Sequence, residues 1–168
     1  PVLDEANNPF GIDFIIYGNA FLDIEGGGGW VNGNPSSVTV SGAVQGEPGR
    51  VSVSQDGAHW FPFPTPSPLA DTFAPTLGRR FAPADPAPLP QMTNLWWGAP
   101  TDPTFPLDPS LDAADLAGKR VSDVAAMYGT SAGGTGFDIG ALALPRHPVK
   151  GVKWFRFVRI ERDGLLNP

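Results

Sequence analysis

Short apolar runs, each cut off within a few residues by glycine, proline or a turn pair, set the pattern of this chain and predict strands rather than long helices. The run Ile12-Asp-Phe-Ile-Ile-Tyr17 is apolar at almost every position, the mark of a central strand covered on both faces. Val38-Thr-Val40 and Arg50-Val-Ser-Val-Ser54 instead alternate apolar and polar residues, as half-buried antiparallel strands do. Gly46-Glu47-Pro48-Gly49 supplies the turn between them. Asp56-Gly57 is a hairpin signal, with His59-Trp-Phe-Pro-Phe63 as the returning strand and Trp60 expected to pack inward. Near the end, Gly151–Glu161 predicts one long strand with Val152, Trp154, Val158 and Ile160 on one face and Phe155 and Phe157 on the other.

Two stretches break this pattern with helical spacing. Ser110–Gly118 has a serine in capping position, acids in its first turns and a glycine stop, and Ser122–Gly129 repeats the arrangement. Both are too short to stand alone, so they are expected to pack on the strands through Leu116, Val124 and Tyr128. From Pro62 to Pro109 prolines are dense, which favours extended backbone and excludes central strands. Such a segment is either an ordered excursion over one face or a partly mobile flap.

Glycine-rich bends punctuate the strands at three places. Gly18-Asn19-Ala20-Phe21 ends the first strand, and Gly26–Gly29 followed by Trp30 forms a surface loop. That loop lacks the lysine and hydroxyl that a phosphate-binding loop needs. Ser131-Ala-Gly-Gly-Thr-Gly-Phe-Asp-Ile139 is the third, expected to send Phe137 to the core and Asp138 to a loop site. Its glycines mimic a dinucleotide fingerprint, but a helix precedes them and Pro145 cuts the following run short, the reverse of what that motif requires.

Composition agrees with a folded chain rich in turns. Glycine (21) and proline (20) make up about a quarter of 168 residues, yet the chain is 41% hydrophobic with eleven Phe and five Trp, more aromatics than disorder carries. Its length suits one domain, residues 1–168, with 62–109 as the proline-rich excursion and 110–129 as the helical part. A net charge of −6 and no basic cluster longer than Arg79-Arg80 argue against a nucleic-acid partner. With no cysteine there are no disulfides, zinc–thiolate sites or thiol nucleophiles. No apolar run is long enough to span a membrane, and the start Pro1-Val-Leu-Asp4 lacks both regions of a signal peptide. It reads as a processed or partial product, which leaves room for an export signal lost from its start.

Several phrases, in this order, carry a resemblance: Asp13-Phe-Ile-Ile-Tyr-Gly-Asn-Ala-Phe21, Glu47-Pro-Gly-Arg-Val-Ser-Val-Ser-Gln-Asp-Gly57, Trp97-Gly-Ala-Pro-Thr-Asp-Pro-Thr-Phe-Pro-Leu-Asp-Pro109, Ala117-Gly-Lys119, Gly133-Gly-Thr-Gly-Phe-Asp138 and Phe157-Val-Arg-Ile160. Across nearly its whole length the chain resembles a group of bacterial secreted or cell-surface proteins, often anchored or multidomain, whose unit is similar to a galactose-binding-type jelly roll. It departs from them mainly in a short N-terminal region. The resemblance implies an all-β, antiparallel β-sandwich outside the cell or on its surface, without catalytic activity, in a fold class that commonly carries structural calcium.

Calcium takes six to eight hard oxygens, and Asp13, Asn19, Glu47 and Asp138 are the side chains expected to supply them from one end of the sandwich. The alternative for each is a hydrogen bond to a loop amide. Trp96 and Trp97 can stack on a sugar ring or a partner, or can pin the excursion to the sandwich. His59 and His147, the two imidazoles, show no partner in the sequence, so no catalytic residue is assigned, although paired carboxylates for glycan cleavage are visible only in three dimensions. A calcium-stabilised module recognising a glycan or an extracellular protein is expected, with a structural subunit of a self-assembling array as the alternative.

Overall fold

The computed structural model describes residues 8–25, 35–64, 70–77, 79–81 and 97–162. Strands dominate: β1 (Phe14–Ile16), β2 (Phe21–Ile24), β3 (Val40–Gln45), β4 (Gly49–Ser54), β5 (Trp60–Pro62), β6 (Arg79–Phe81), β7 (Trp97–Pro100), β8 (Thr135–Phe137) and β9 (Phe157–Arg162). Two short helices, α1 (Ala113–Leu116) and α2 (Val121–Tyr128), lie between β7 and β8. The fold is therefore all-β in character. The pairings between these strands are antiparallel, in small sheets ordered β1-β8, β2-β3, β5-β4-β9 and β6-β7.

Alternation along the chain accounts for the pairing that matters most. On β4, Val51 and Val53 are buried on the face opposite to Ser52 and Ser54, and across the hairpin Val53 faces Phe61 while Ser54 faces Trp60. Phe61 thus enters the apolar cluster and Trp60 does not. The expectation that Trp60 packs inward is corrected by this parity: it lies on the polar face, where the Arg159 guanidinium sits 4.4 Å from its ring centre.

Aromatic rings pack the β1-β8 pair against β4 and the residues that flank β5 and β9. Phe14 of β1 stacks on Phe137 of β8 at 5.2 Å and meets Phe63 and Phe155 at 6.1 and 5.1 Å, while Phe137 meets Phe63 edge-on at 4.9 Å. Val51, Ala70 and Phe137 close the centre. The long final strand expected over Gly151–Glu161 is shorter than its pattern. Arg156 donates its amide to the Ser54 carbonyl, which also lies opposite Phe157, so the ladder begins with two residues against one. That irregularity separates Phe155, which packs in the core, from Phe157, which is exposed.

A second core lies beneath the helices, where Leu116, Val124 and Tyr128 pack with Val40, Ala74 and Val121, as the helical spacing predicts. The caps differ from the sequence expectation. Asp112, not Ser110, caps α1, accepting from the amides of Ala114 and Asp115 while Asp115 accepts from the amide of Asp112. Residues 131–135, in the third glycine-rich bend, are buried throughout. They pack against residues 74–77 of the proline-rich segment, with Leu77 donating to Ala132 and Gly134 to Ala74, beside Tyr128 Oη, which donates to Pro75. A β-carbon on Gly133 would stand 2.4 Å from the Pro75 carbonyl oxygen, so only glycine allows this approach.

Candidate binding cleft

Asp13 precedes β1 and Asp138 follows β8, and because Phe14 pairs with Phe137 the two carboxylates meet at one end of this strand pair. Asp13 accepts from the Ile139 amide at 2.8 Å, and Asp138 accepts from the Gly140 amide in the turn Ile139–Ala141. Burial raises the Asp13 carboxyl above its ordinary range; the Ile139 amide opposes this, and the neighbouring Asp138 carboxylate adds to the rise. As the alternation predicts, Phe137 is buried and Asp138 is exposed.

Asn19 and Glu47 lie elsewhere. Asn19 follows β1, at the opposite end of that strand from Asp13, and both Asn19 and Glu47 have exposed side chains. What joins their loops is a residue the sequence did not single out: Asp71, whose Oδ1 accepts from the Ala20 amide at 2.6 Å and whose Oδ2 accepts from the Glu47 amide at 3.0 Å. The four expected ligands are thus split into two pairs. Among the described residues no group of three or more His, Asp or Glu side chains is placed to hold a metal ion. Trp96 lies outside the described residues, as does the side chain of Trp97, whose backbone begins β7.

Asp13 instead belongs to an open cleft of about 600 Å³, lined also by Ile139 and by the segment His147–Arg156. The sequence makes that segment a tight loop. Gly151, at φ +69°, donates to the His147 carbonyl at 2.8 Å, and the Arg146 guanidinium closes the loop on the Gly151 carbonyl at 2.8 Å. His147 Nδ1 accepts from the amides of Val149 and Lys150, which leaves the ring proton on Nε2. Lys153 Nζ donates to the carbonyls of Gly140 and Leu142 and ties the loop to the Asp138 turn. Gln55 Nε2 ties its other side to the hairpin through the carbonyls of Pro145 and Trp154, at 2.8 and 3.1 Å.

Trp154 is the half-buried wall of the cleft. The His147 ring meets it edge-on at 6.1 Å and the exposed Arg156 guanidinium lies 5.6 Å from its centre. Lys150, Lys153, Arg156 and His147 can donate hydrogen bonds, and Asp13 can accept them. Sequence reasoning placed Trp154 on a strand face and missed this role; the signal was the regular spacing of the basic residues 146, 150, 153 and 156 around one tryptophan in an acidic chain.

His59 has a partner after all, Asp56, with Nδ1 to Oδ2 at 2.7 Å on the exposed hairpin. The His59 side chain and then the His59 and Ala58 amides hold the Asp56 carboxyl well below the usual range, and Asp56 raises the His59 imidazole. Ser54 Oγ donates to Asp56, not to His59.

The Asp13–Asp138 contact gives a direct test. Asp13→Asn keeps an oxygen for the Ile139 amide and offers N–H to Asp138, so it is expected to stabilise the fold at neutral pH by about 0.5–1 kcal/mol, roughly 2 °C in Tm. Because the folded carboxyl titrates above its ordinary value, folding favours its protonated form. Stability from this group is greatest below that value and falls as pH rises through the raised one, so the gain should vanish in acid. A calcium ion between the two carboxylates would give the opposite result: Asp13→Asn would lower Tm and remove any calcium-dependent rise.

Comparison with protein-family models, with curated proteins and with solved structures gives no match to this chain.

Proposed function

We propose that this protein is a non-catalytic recognition module of the cell exterior or cell surface, built on a jelly-roll-like β-sandwich, that holds a saccharide in the Trp154 cleft. The observation that carries this is the pairing of a half-buried indole wall with a ring of donors and one acceptor in a concave site. A pyranose ring presents an apolar C–H face and a rim of hydroxyls. An indole covers the first, and Asp13, Lys150 and Arg156 suit the second. Packing of Phe14 and Phe137 of the β1-β8 pair against Val51 of β4 and against Phe63, just past β5, supports the sandwich. The extracellular setting rests on the motif resemblance.

Binding is favoured over cleavage by the placement of the carboxylates. Asp13 lines the cleft and Asp138 does not, whereas two-carboxylate glycoside hydrolysis needs a carboxyl group on each side of the scissile bond. Each carboxylate is also occupied by a backbone amide.

A glycan array followed by calorimetry tests this. Trp154→Ala is expected to weaken binding of the selected oligosaccharide about tenfold, the worth of one stacked ring, with Tm shifted by less than about 2 °C. An array without a binder, or a binder indifferent to Trp154→Ala, would rule the cleft out as the recognition site.

A further inference from the structure

The apolar edge at β9 is independent of the cleft and calls for a partner. Among the described residues this strand ends the β5-β4-β9 sheet, and its apolar residues Phe157, Val158 and Ile160 are 45%, 43% and 53% exposed. Val158 and Ile160 lie opposite Val53 and Val51, so the strip that should be covered like the core stands open at the flank. An edge of this kind is a template for strand addition.

We infer that the occupant is β9 of a second copy of this chain, paired antiparallel about a two-fold axis at Ile160. The charges of the strand select this register. Centring on Ile160 sets Arg159 against Glu161 of the second copy, and Glu161 against its Arg159. Centring on Arg159 would oppose two arginines, and centring on Glu161 two glutamates. Only the first is complementary. Both residues already share one face, with Arg159 Nε 3.0 Å from Glu161 Oε2 and their side chains 41% and 56% exposed, and Arg159 is held in place by Trp60 and by Ser52 Oγ at 3.2 Å. A pre-positioned guanidinium loses little freedom when the second carboxylate arrives. Joining the two edges makes a continuous sheet, β5-β4-β9-β9-β4-β5, and the interface is isologous, so assembly stops at a dimer.

Sedimentation equilibrium of the full chain at micromolar to millimolar concentration tests the pairing. The wild type is expected to form a dimer whose dissociation constant rises with salt. Glu161→Arg, which sets arginine against arginine at both symmetry-related positions, is expected to weaken it about tenfold or more with the monomer fold retained by circular dichroism. Arg159→Glu combined with Glu161→Arg restores complementarity and is expected to recover the dimer. A wild type that stays monomeric at the highest concentration overturns the proposal. So does a dimer unaffected by Glu161→Arg, or one that the double exchange leaves as weak as the single.

Discussion

Phe137→Ala is expected to remove about 3–5 kcal/mol of stability, a large share of the roughly 5–15 kcal/mol that holds a domain of this size together. The side chain is 1% exposed and sits between Phe14 and Phe63, with Val51 and Ala70 beneath it. Truncation loses the transfer energy of a benzyl group and leaves a cavity whose walls come from four separate chain segments. These are tied by backbone pairing and cannot collapse together. Urea unfolding measures the loss, and a cost under about 1 kcal/mol would mean that the two sheets do not meet at this ring. The cleft should fail with it, because Asp13 is held to β8 by its amide on the Phe137 carbonyl at 2.9 Å. Oligosaccharide binding is therefore expected to vanish at lower urea in Phe137→Ala than in the parent.

The contrast between Phe137 and Asp138 was legible in the sequence, because alternation along a strand is a local property and one residue's direction fixes its neighbour's. The same holds for the Asp56-Gly57 hairpin and for Leu116, Val124 and Tyr128 on the helices, each set by spacing within a few residues. Trp60 and Trp154 were misplaced for a related reason. Trp60 followed the parity of Ser54 rather than its own hydrophobicity, and the extra residue at Arg156 ended the strand before it reached Trp154. The burial of residues 131–135 was hidden as well. Small residues can be exposed because they are flexible, or buried because another backbone must pass close, and the sequence does not say where Pro75 will run.

The expected single calcium rim failed to gather for a reason of connectivity. Asn19 and Asp138 sit in similar glycine-flanked bends, but an antiparallel pair brings together the start of one strand and the end of the other. Asp13 therefore found Asp138, and the far end of β1 was left to a different partner. That partner, Asp71, lies 51 residues from Ala20 and 24 from Glu47, within a proline-rich stretch that offered no periodicity to read.

Asp71→Ala is the second large effect expected, at about 2–4 kcal/mol. A carboxylate accepting from two backbone amides makes charge-assisted bonds worth roughly 1.5–3 kcal/mol each, and the lower end applies to the Glu47 amide because that bond is exposed. The site is built around this side chain: a β-carbon on Gly18 would fall 2.0 Å from Asp71 Oδ1, and one on Gly46 would fall 2.3 Å from the Asp71 carbonyl oxygen. Asp71 also holds a positive φ of 58°, which aspartate and asparagine tolerate better than alanine. Three substitutions separate these contributions. Asp71→Asn keeps the backbone and one acceptor and should lose about half as much as alanine. Asp71→Gly relieves the backbone but forfeits both bonds, so a loss close to that of alanine would assign the effect to the carboxylate. If glycine instead restores most of the stability, the strained backbone is responsible and the clamp is not. Hydrogen exchange supplies the local readout: in Asp71→Ala the amides of Ala20 and Glu47 are expected to lose protection before those of β4, since nothing else in the two loops accepts from them.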